Sequence, residues 1–254
     1  MSAWWFRKFS SYAKRYLRRN FYAVRIARHG YPPPNLSGPV VVLMNHPAWW
    51  DPLTGLFLAT QMWPERVHFA PIDQRALRRY RILGRIGFFG VEQSSRSGAK
   101  EFLTRGVALL HQPSAMLWIT AQGEFADIRL RPVQLRPGIG HLLQKCPAAT
   151  VLPLAVEYVF WEERYAELLV SFGPSFCAAD RLETSAKQLT AHCADQLEAT
   201  MDALQQIAIH RNPADFEILL QGRAGVGGFY DFWSKLRARW RGETFRPEHA
   251  AVHE

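Results

Sequence analysis

Cysteine is scarce in this chain, and its spacing matches no familiar motif. Cys146, Cys177 and Cys193 are odd in number and include no C-x-x-C pair. This pattern argues against a disulfide framework and favours a protein of a reducing compartment. The nine histidines form no H-E-x-x-H motif and no Cys/His cluster, so the sequence predicts no metal site.

Long apolar runs and the serine nucleophile elbow are also missing. No stretch approaches the roughly 18 apolar residues needed to cross a bilayer, and the longest candidate, 151–161, contains Glu157. Charges recur through the N-terminus where a signal peptide has an apolar segment, so we expect no signal peptide there. The chain has no G-x-S-x-G motif, so no serine nucleophile of that kind is indicated.

Acidic residues are absent from the first 30 positions, where eight basic residues occur: Arg7, Lys8, Lys14, Arg15, Arg18, Arg19, Arg25 and Arg28. The rest of the chain carries 23 basic against 22 acidic residues and is close to neutral. The net charge of +9 therefore belongs to one segment, which indicates a local anionic partner.

Residues 3–28 have the spacing of one amphipathic helix. Apolar side chains recur every three, four or seven positions with basic residues between them, at Trp5, Phe9, Tyr12, Tyr16 and Ala23. We therefore predict an N-terminal segment, 1–34, that docks on anionic lipids at the cytoplasmic face of the cell membrane. Two alternatives stay open. The helix packs on its own domain with a solvated basic face, or it binds nucleic acid, although it carries no nucleic-acid-binding motif.

The middle of the chain alternates strands with helices. Strands are predicted at 39–44, 66–71, 88–92, 115–120, 150–160 and 168–172, and helices at 51–61, 73–85, 97–111 (with Ser97 as its N-cap) and 139–145. This order predicts an α/β core over 35–180, with a mixed sheet flanked by helices.

The C-terminal part, 181–254, is predicted to be helical. A long helix is expected at 182–208 with no strand after it, and a short helical stretch follows Arg211. Glycines at 225–228 then precede a basic, aromatic helix at 229–241. We expect these helices to pack on the core and the last one to dock on the membrane, which gives amphipathic helices at both termini.

A histidine and an aspartate stand directly after the apolar run 39–44, in Asn45-His46-Pro47-Ala48-Trp49-Trp50-Asp51. Composition gives about 0.3 such spacings by chance, so the context must decide. An imidazole beside a carboxylate takes a proton from a hydroxyl near neutral pH, and the carboxylate stabilises the imidazolium that results. Asp51 before Pro52 also has the pattern of a helix N-cap.

Four sequence blocks follow in order, at 45–51, 84–96, 118–138 and 151–156. The first is Asn-His-x4-Asp after an apolar strand with proline next to the aspartate, and the fourth is an apolar-Pro-apolar strand around Pro153. In order and spacing they resemble the lysophospholipid (glycerolipid) acyltransferase superfamily over residues 35–175.

The resemblance implies an O-acyltransferase that moves a fatty acyl group from acyl-CoA or acyl-carrier protein to a hydroxyl of a lipid acceptor. His46 is then the general base, and Asp51 orients it. Donor and acceptor are both substrates, so no cofactor is implied. Backbone N–H groups near Gly123, or at the start of the helix after Asp51, are candidates for stabilising the oxyanion.

Two blocks depart from the family's pattern. Gln93 stands where the second block has an arginine, and Gln122 and Phe125 replace the glutamate and arginine of the third. In the family these arginines hold the acceptor's phosphate, and neither glutamine nor phenylalanine supplies that charge. The predicted substrate-binding residues are Asn45, Arg96, Gln122, Gly123, Glu124, Arg129 and Arg131, with Arg136 as a further loop arginine.

Several alternatives stay open. Either the loop arginines bind a phosphate, or the acceptor is a glycolipid or carotenoid glycoside that is acylated on a sugar hydroxyl. A third interpretation is a catalytically silent protein that binds the membrane surface. For single residues, the structural alternatives are a core histidine at His46, a cap alone at Asp51, core packing for Trp49 and Trp50, turn geometry at Gly123, and solvated charges at Arg129 and Arg131.

Overall fold

A computed structural model of the chain describes residues 2–92, 95–181 and 185–224. The first half contains α1 (Ala3–Asn20), β1 (Phe21–Ala27), β2 (Val40–Met44), α2 (Asp51–Met62), β3 (Val67–Asp73), α3 (Gln74–Arg79), α4 (Ile82–Arg85), β4 (Phe88–Val91), α5 (Arg96–Leu110) and β5 (Ala115–Ile119). The second half contains α6 (Gly138–Lys145), β6 (Thr150–Val159), β7 (Ala166–Phe172), β8 (Phe176–Cys177), α7 (Ala186–Ile209) and β9 (Phe216–Gln221).

The strands of the described residues form one mixed sheet in the order β4-β3-β5-β2-β6-β7-β1-β9, with β8 paired to β6. The five strands from β4 to β6 run parallel to their neighbours. Beyond them β7 is antiparallel to β6 and parallel to β1, and β9 is antiparallel to β1. The predicted α/β class and mixed sheet are confirmed.

Strand β2 lies in the middle of the parallel half and is covered on both faces. All five of its residues are buried. Val40, Val42 and Met44 belong to a core shared with α1 and α2, whereas Val41 and Leu43 belong to a core shared with α6 and α7. A strand buried on both faces has a continuous apolar run, which explains why this strand was predictable.

The prediction of one helix over 3–28 is wrong, because α1 ends at Asn20 and the chain continues as β1. Every residue of β1 is buried, and the strand has a partner on each side, β7 and β9. Tertiary pairing therefore overrides the helical spacing. The first 27 residues supply both a helix and a strand of the sheet.

A buried ion pair makes the position of Arg25 in β1 possible. Its Nε donates to Glu167 Oε2 on the neighbouring strand β7 at 2.8 Å, and the two side chains are 7% and 3% exposed. Burying one of these charges alone would be costly, but the neighbouring opposite charge offsets much of that cost.

The C-terminal prediction is wrong for the segment after α7. A strand, β9, follows the long helix α7 and pairs with β1. Only the start of the expected short helix forms, as a 3-10 turn at Pro213–Asp215. Residues 217, 218 and 221 of β9 are exposed, so this edge strand has no continuous apolar run. The predicted helix at 229–241 lies outside the described residues.

Two boundaries in the middle also differ from prediction. The expected helix at 73–85 is the end of β3 followed by α3 and α4, and the Asp73 side chain caps α3 by accepting from Arg75 N–H at 2.6 Å. Ser95, not Ser97, caps α5 and accepts from Gly98 N–H at 2.9 Å. The Ser97 hydroxyl instead donates to Glu92.

Helix α1 packs on α2. The residues that it buries are each one position later in the sequence than those predicted to form its apolar face. Its buried side chains are Phe6, Ser10, Ala13 and Leu17. Of the aromatic residues predicted to form one apolar face, Trp5, Phe9 and Tyr16 are half-buried and Tyr12 is exposed. No helix in the described ranges is long and apolar enough to cross a membrane.

Candidate active site

The imidazole of His46 lies against the carboxylate of Asp51. His46 Nδ1 is 2.6 Å from Asp51 Oδ2; the His46 side chain is 19% exposed, whereas that of Asp51 is fully buried. An ionised carboxylate only accepts hydrogen bonds, so we assign the proton to Nδ1. The lone pair then stands on Nε2, which is the arrangement a general base requires.

Asp51 accepts two further hydrogen bonds. Ala48 N–H donates to Oδ2 at 3.1 Å, and the Tyr158 hydroxyl donates to Oδ1 at 2.7 Å. Three donors therefore surround a carboxylate that has no access to water. Asp51 is the first residue of α2 and does not cap it, since the cap position is Trp50 and no side chain accepts there. The N-cap prediction for Asp51 is wrong because its oxygens are used by other donors.

The loop that carries His46 is held at three points. The Asn45 side chain accepts from Val156 N–H at 2.8 Å and donates to Val156 O at 2.9 Å, which joins the end of β2 to β6. Gln122 Oε1 accepts from His46 N–H at 2.7 Å, and Ala126 N–H donates to His46 O at 3.0 Å. Asn45 and Gln122 therefore hold the backbone around the imidazole.

His46 lies on the wall of a cavity of about 530 Å³ that is lined by α2 and by strands of the parallel half of the sheet. This volume is in the range of about 300–1,000 Å³ that is usual for small-molecule sites. Most of its wall is apolar, with side chains from α1, α2 and four strands that include Phe6, Leu56, Phe88 and Trp118. Such a space suits a flexible apolar ligand.

A buried histidine, His68, closes part of this cavity without bringing a charge. Its Nε2–H donates to Trp63 O at 2.8 Å, and its Nδ1 accepts from Trp118 Nε1–H at 3.2 Å. Burial lowers the pKa of His68 to about 4, so the ring is neutral at physiological pH. The Phe6 ring stacks on it with the centroids 5.6 Å apart.

A second cavity of about 330 Å³ meets the first at His46. The two share His46, Pro71, Ile72, Asp73, Thr120 and Gly123. Arg136, Glu92 and the first residues of α6 line the second cavity. Hydrogen bonds from Ser95 and Ser97 lower the pKa of Glu92, which keeps this carboxyl ionised. His46 is therefore common to the walls of both cavities.

Gly123 lies at the junction of the two cavities. Its φ of 76° favours glycine, and a Cβ there would lie 2.0 Å from Arg136 Nε. Its N–H donates to Thr120 O at 3.0 Å, and the N–H groups of Leu53 and Thr54 both donate to Trp50 O. These groups, which were candidates for oxyanion binding, are already bonded in this structure, so the turn geometry accounts for the glycine.

The loop arginines do not gather at the site as predicted. Arg129 forms a two-point pair with Asp127, at 2.8 and 2.6 Å, and lowers the pKa of that carboxyl well below its usual range. Arg131 Nε donates to Asp202 at 2.9 Å. Arg96 is exposed at the start of α5, and none of the three lines either cavity. Gly123 and Glu124 do line the larger one.

Aromatic rings surround the mouth of the larger cavity. Trp49 is 63% exposed and Phe125 is 61% exposed, and both line it. The Phe125 ring lies on the imidazole of His46, with the centroids 4.5 Å apart. Trp50 packs inward on Phe21, so of the two tryptophans Trp49 takes the entrance position and Trp50 the packing position.

Sequence reasoning missed the role of Tyr158, which lies 107 residues from Asp51 and has no local signal that would reveal it. Phe125 was noted only because it stands where the third sequence block is expected to have an arginine. No protein-family model matches the chain, and no match is found among curated proteins.

Proposed function

We propose that the protein is an O-acyltransferase that moves a fatty acyl group from acyl-CoA or acyl-carrier protein to a hydroxyl of a lipid acceptor. The observation that carries this proposal is the position of His46. A buried carboxylate orients its imidazole, and His46 lines both an apolar cavity and a second cavity. This combination suits a two-substrate transfer from an apolar donor.

His46 Nε2 takes the proton of the acceptor hydroxyl as the hydroxyl oxygen attacks the thioester carbonyl carbon. The tetrahedral intermediate collapses when the C–S bond breaks, and the imidazolium returns its proton to the leaving thiolate. Asp51 stabilises the imidazolium between these steps. The thioester is already activated, so the chemistry needs no nucleophile from the protein and no metal ligand set.

The acyl chain is assigned to the larger cavity. Its apolar wall removes the chain from water, which is favourable in proportion to the area buried. The neutral state of His68 supports this assignment, because a charged ring beside a hydrocarbon chain would be costly to bury.

We also propose that the protein works at the cytoplasmic surface of the cell membrane. Trp4 and Tyr12 of α1 are each about half exposed, and Lys8 lies over the Trp4 ring at 5.6 Å. Tyr12 stacks on Tyr16, which contacts Trp49 at the mouth of the larger cavity. This row of rings between basic side chains suits a headgroup region and leads to the site.

The test compares His46→Ala with His111→Ala, which removes an exposed histidine beyond the end of α5. Free thiol release from palmitoyl-CoA, measured with a lipid acceptor, should be lost in His46→Ala and kept in His111→Ala. Asp51→Asn should lose most of it, because the amide no longer orients the imidazole. Full activity in His46→Ala would overturn the proposal.

A further inference from the structure

We infer that the acceptor carries an uncharged, hydroxyl-rich head group of the kind found on a sugar ring, and that this group stacks on Phe125 beside His46. The inference rests on the proposed acyl transfer and names the class of molecule that receives the acyl group. It depends on the charges that line the two cavities and on the rings at their mouth.

Among the described residues, the charged side chains with a permanent charge on the walls of the larger cavity are all carboxylates. The described residues that line it include the carboxylates Asp51, Asp73 and Glu124 and no lysine or arginine. A phosphate monoester in this cavity next to His46 would therefore face carboxylates without a guanidinium to pair with, and like charges in one site repel strongly.

The charged side chains that line the second cavity are not predominantly basic either. Arg136 is the one guanidinium among the described residues on its wall, and Glu92 and Asp73 line the same space. Elsewhere in the loop, Arg129 and Arg131 are held by Asp127 and Asp202. Neither residue lines either cavity, so neither guanidinium faces a phosphate beside His46.

An aromatic ring, that of Phe125, lies beside His46 where a phosphate-binding site would have an arginine. Phe125 is 61% exposed although its ring contacts the imidazole at 4.5 Å between centroids, and Trp49 is 63% exposed at the same mouth. The flat apolar face of a sugar ring covers such rings and presents its hydroxyls at the ring edge. Glu124, the residue before Phe125, is exposed there, and a carboxylate is able to accept hydrogen bonds from sugar hydroxyls.

The experiment uses the full chain, palmitoyl-CoA and three acceptors at equal concentration: an alkyl glucoside, a monoacylglycerol and lysophosphatidate. Acyl products are identified by mass, and thiol release is measured in parallel. An uncharged acceptor should be acylated at least about tenfold faster than lysophosphatidate. Lysophosphatidate acylated as fast or faster overturns the inference.

The remaining outcomes separate the inference from the proposed function. Thiol release that depends on His46 without acylation of either uncharged acceptor overturns the acceptor class alone. Thiol release that does not depend on His46, or none at all, overturns the acyltransferase itself and the acceptor inference with it.

A pair of variants tests the role of Phe125. Phe125→Arg should shift the ratio of glucoside to lysophosphatidate products toward lysophosphatidate by about tenfold, because it adds a guanidinium next to the base. Phe125→Leu keeps an apolar side chain without a flat ring, so it should lower glucoside acylation without raising lysophosphatidate acylation. A ratio unchanged in Phe125→Arg would overturn the stacking assignment. Phe125→Arg is judged by a ratio of products, so partial loss of folded protein does not affect that result.

Discussion

The hydroxyl of Tyr158 donates a hydrogen bond of 2.7 Å to the carboxylate of Asp51, on the opposite side from His46. Thr54 Oγ1 lies 3.1 Å from the same hydroxyl. Burial, with the charge of Asp51 nearby, raises the pKa of Tyr158 well above its usual value, so its proton stays in place at every working pH. Tyr158 is therefore a positioning residue. It fixes the carboxylate of Asp51, and Asp51 in turn orients the imidazole of His46.

Removal of this hydroxyl should affect both the rate and the pH profile. In Tyr158→Phe, Asp51 keeps two of its three donors, so the carboxylate is held less firmly and the imidazole is oriented less well for proton transfer. We expect acyl transfer to fall by about tenfold or more. The negative charge on Asp51 is then shared with fewer donors and favours the imidazolium more strongly. The acid limb of kcat/KM should therefore move to higher pH.

The matched control is Tyr80→Phe, which removes a hydroxyl from a ring that is 51% exposed and lines neither cavity. Its rate and pH profile should equal those of the unmodified protein. A loss of rate in Tyr158→Phe without movement of the acid limb would show that the hydroxyl serves packing alone.

The double variant Trp4→Ser/Tyr12→Ser tests the proposed docking face. Both rings are about half exposed, so the fold should keep its stability. Removing two large apolar groups should weaken binding to anionic vesicles by at least about tenfold. Binding should also weaken as salt is raised, because salt screens the basic side chains from the lipid charge. Vesicle flotation with phosphatidylglycerol and with phosphatidylcholine measures both effects.

The control for docking is Ile209→Ser. This side chain is 64% exposed at the end of α7, which packs on the other face of the sheet from α1. Its removal should leave vesicle binding unchanged. If both variants bind as the unmodified protein does, α1 is not the docking face.

The parallel centre of the fold could be predicted because its strands carry their own signal. Strands β2 and β5 are buried at every position, and each is a short, continuous apolar run. Strand β1 is also fully buried, but it follows a helix whose apolar spacing continues into it, and its partners come from 166–172 and 216–221. Local periodicity contains no information about those partners.

The same distinction applies to the site. His46 and Asp51 are close in sequence and chemically distinctive, so their spacing predicted a contact that the structure contains. Arginines in the 121–138 loop were predicted from their charge alone. Their position depends on partners such as Asp202, 71 residues away from Arg131, which a sequence pattern does not reveal.

The buried pair of Arg25 and Glu167 makes a separate prediction about stability. Glu167→Ala leaves the guanidinium buried without its partner, which should lower the free energy of unfolding by about 3–5 kcal/mol. Replacing both residues by apolar ones, as in Arg25→Met/Glu167→Leu, should recover most of this loss. Urea unfolding measures both.

The comparison for this pair is Glu101→Ala, which breaks an exposed pair with Arg105 on α5 at the same 2.8 Å. It should cost less than about 1 kcal/mol. If Glu101→Ala and Glu167→Ala lower the free energy of unfolding equally, burial does not make the Arg25–Glu167 pair more important for stability than an exposed pair.

His68 should make stability depend on pH in the acid range. Its folded-state pKa of about 4 lies below the ordinary 6.5, so the unfolded chain binds the proton more readily. This contribution to stability is present above pH 6.5 and is lost as the pH falls toward 4, by about 3 kcal/mol in all. His68→Gln should have a lower free energy of unfolding at pH 7. Between pH 6.5 and pH 4, however, its free energy of unfolding should fall by about 3 kcal/mol less than that of the unmodified protein. Urea unfolding at a series of pH values gives the difference.

The control is His111→Gln, which changes an exposed histidine and should follow the unmodified protein at every pH. If the free energies of unfolding of all three proteins depend on pH in the same way, His68 is not buried in its neutral form.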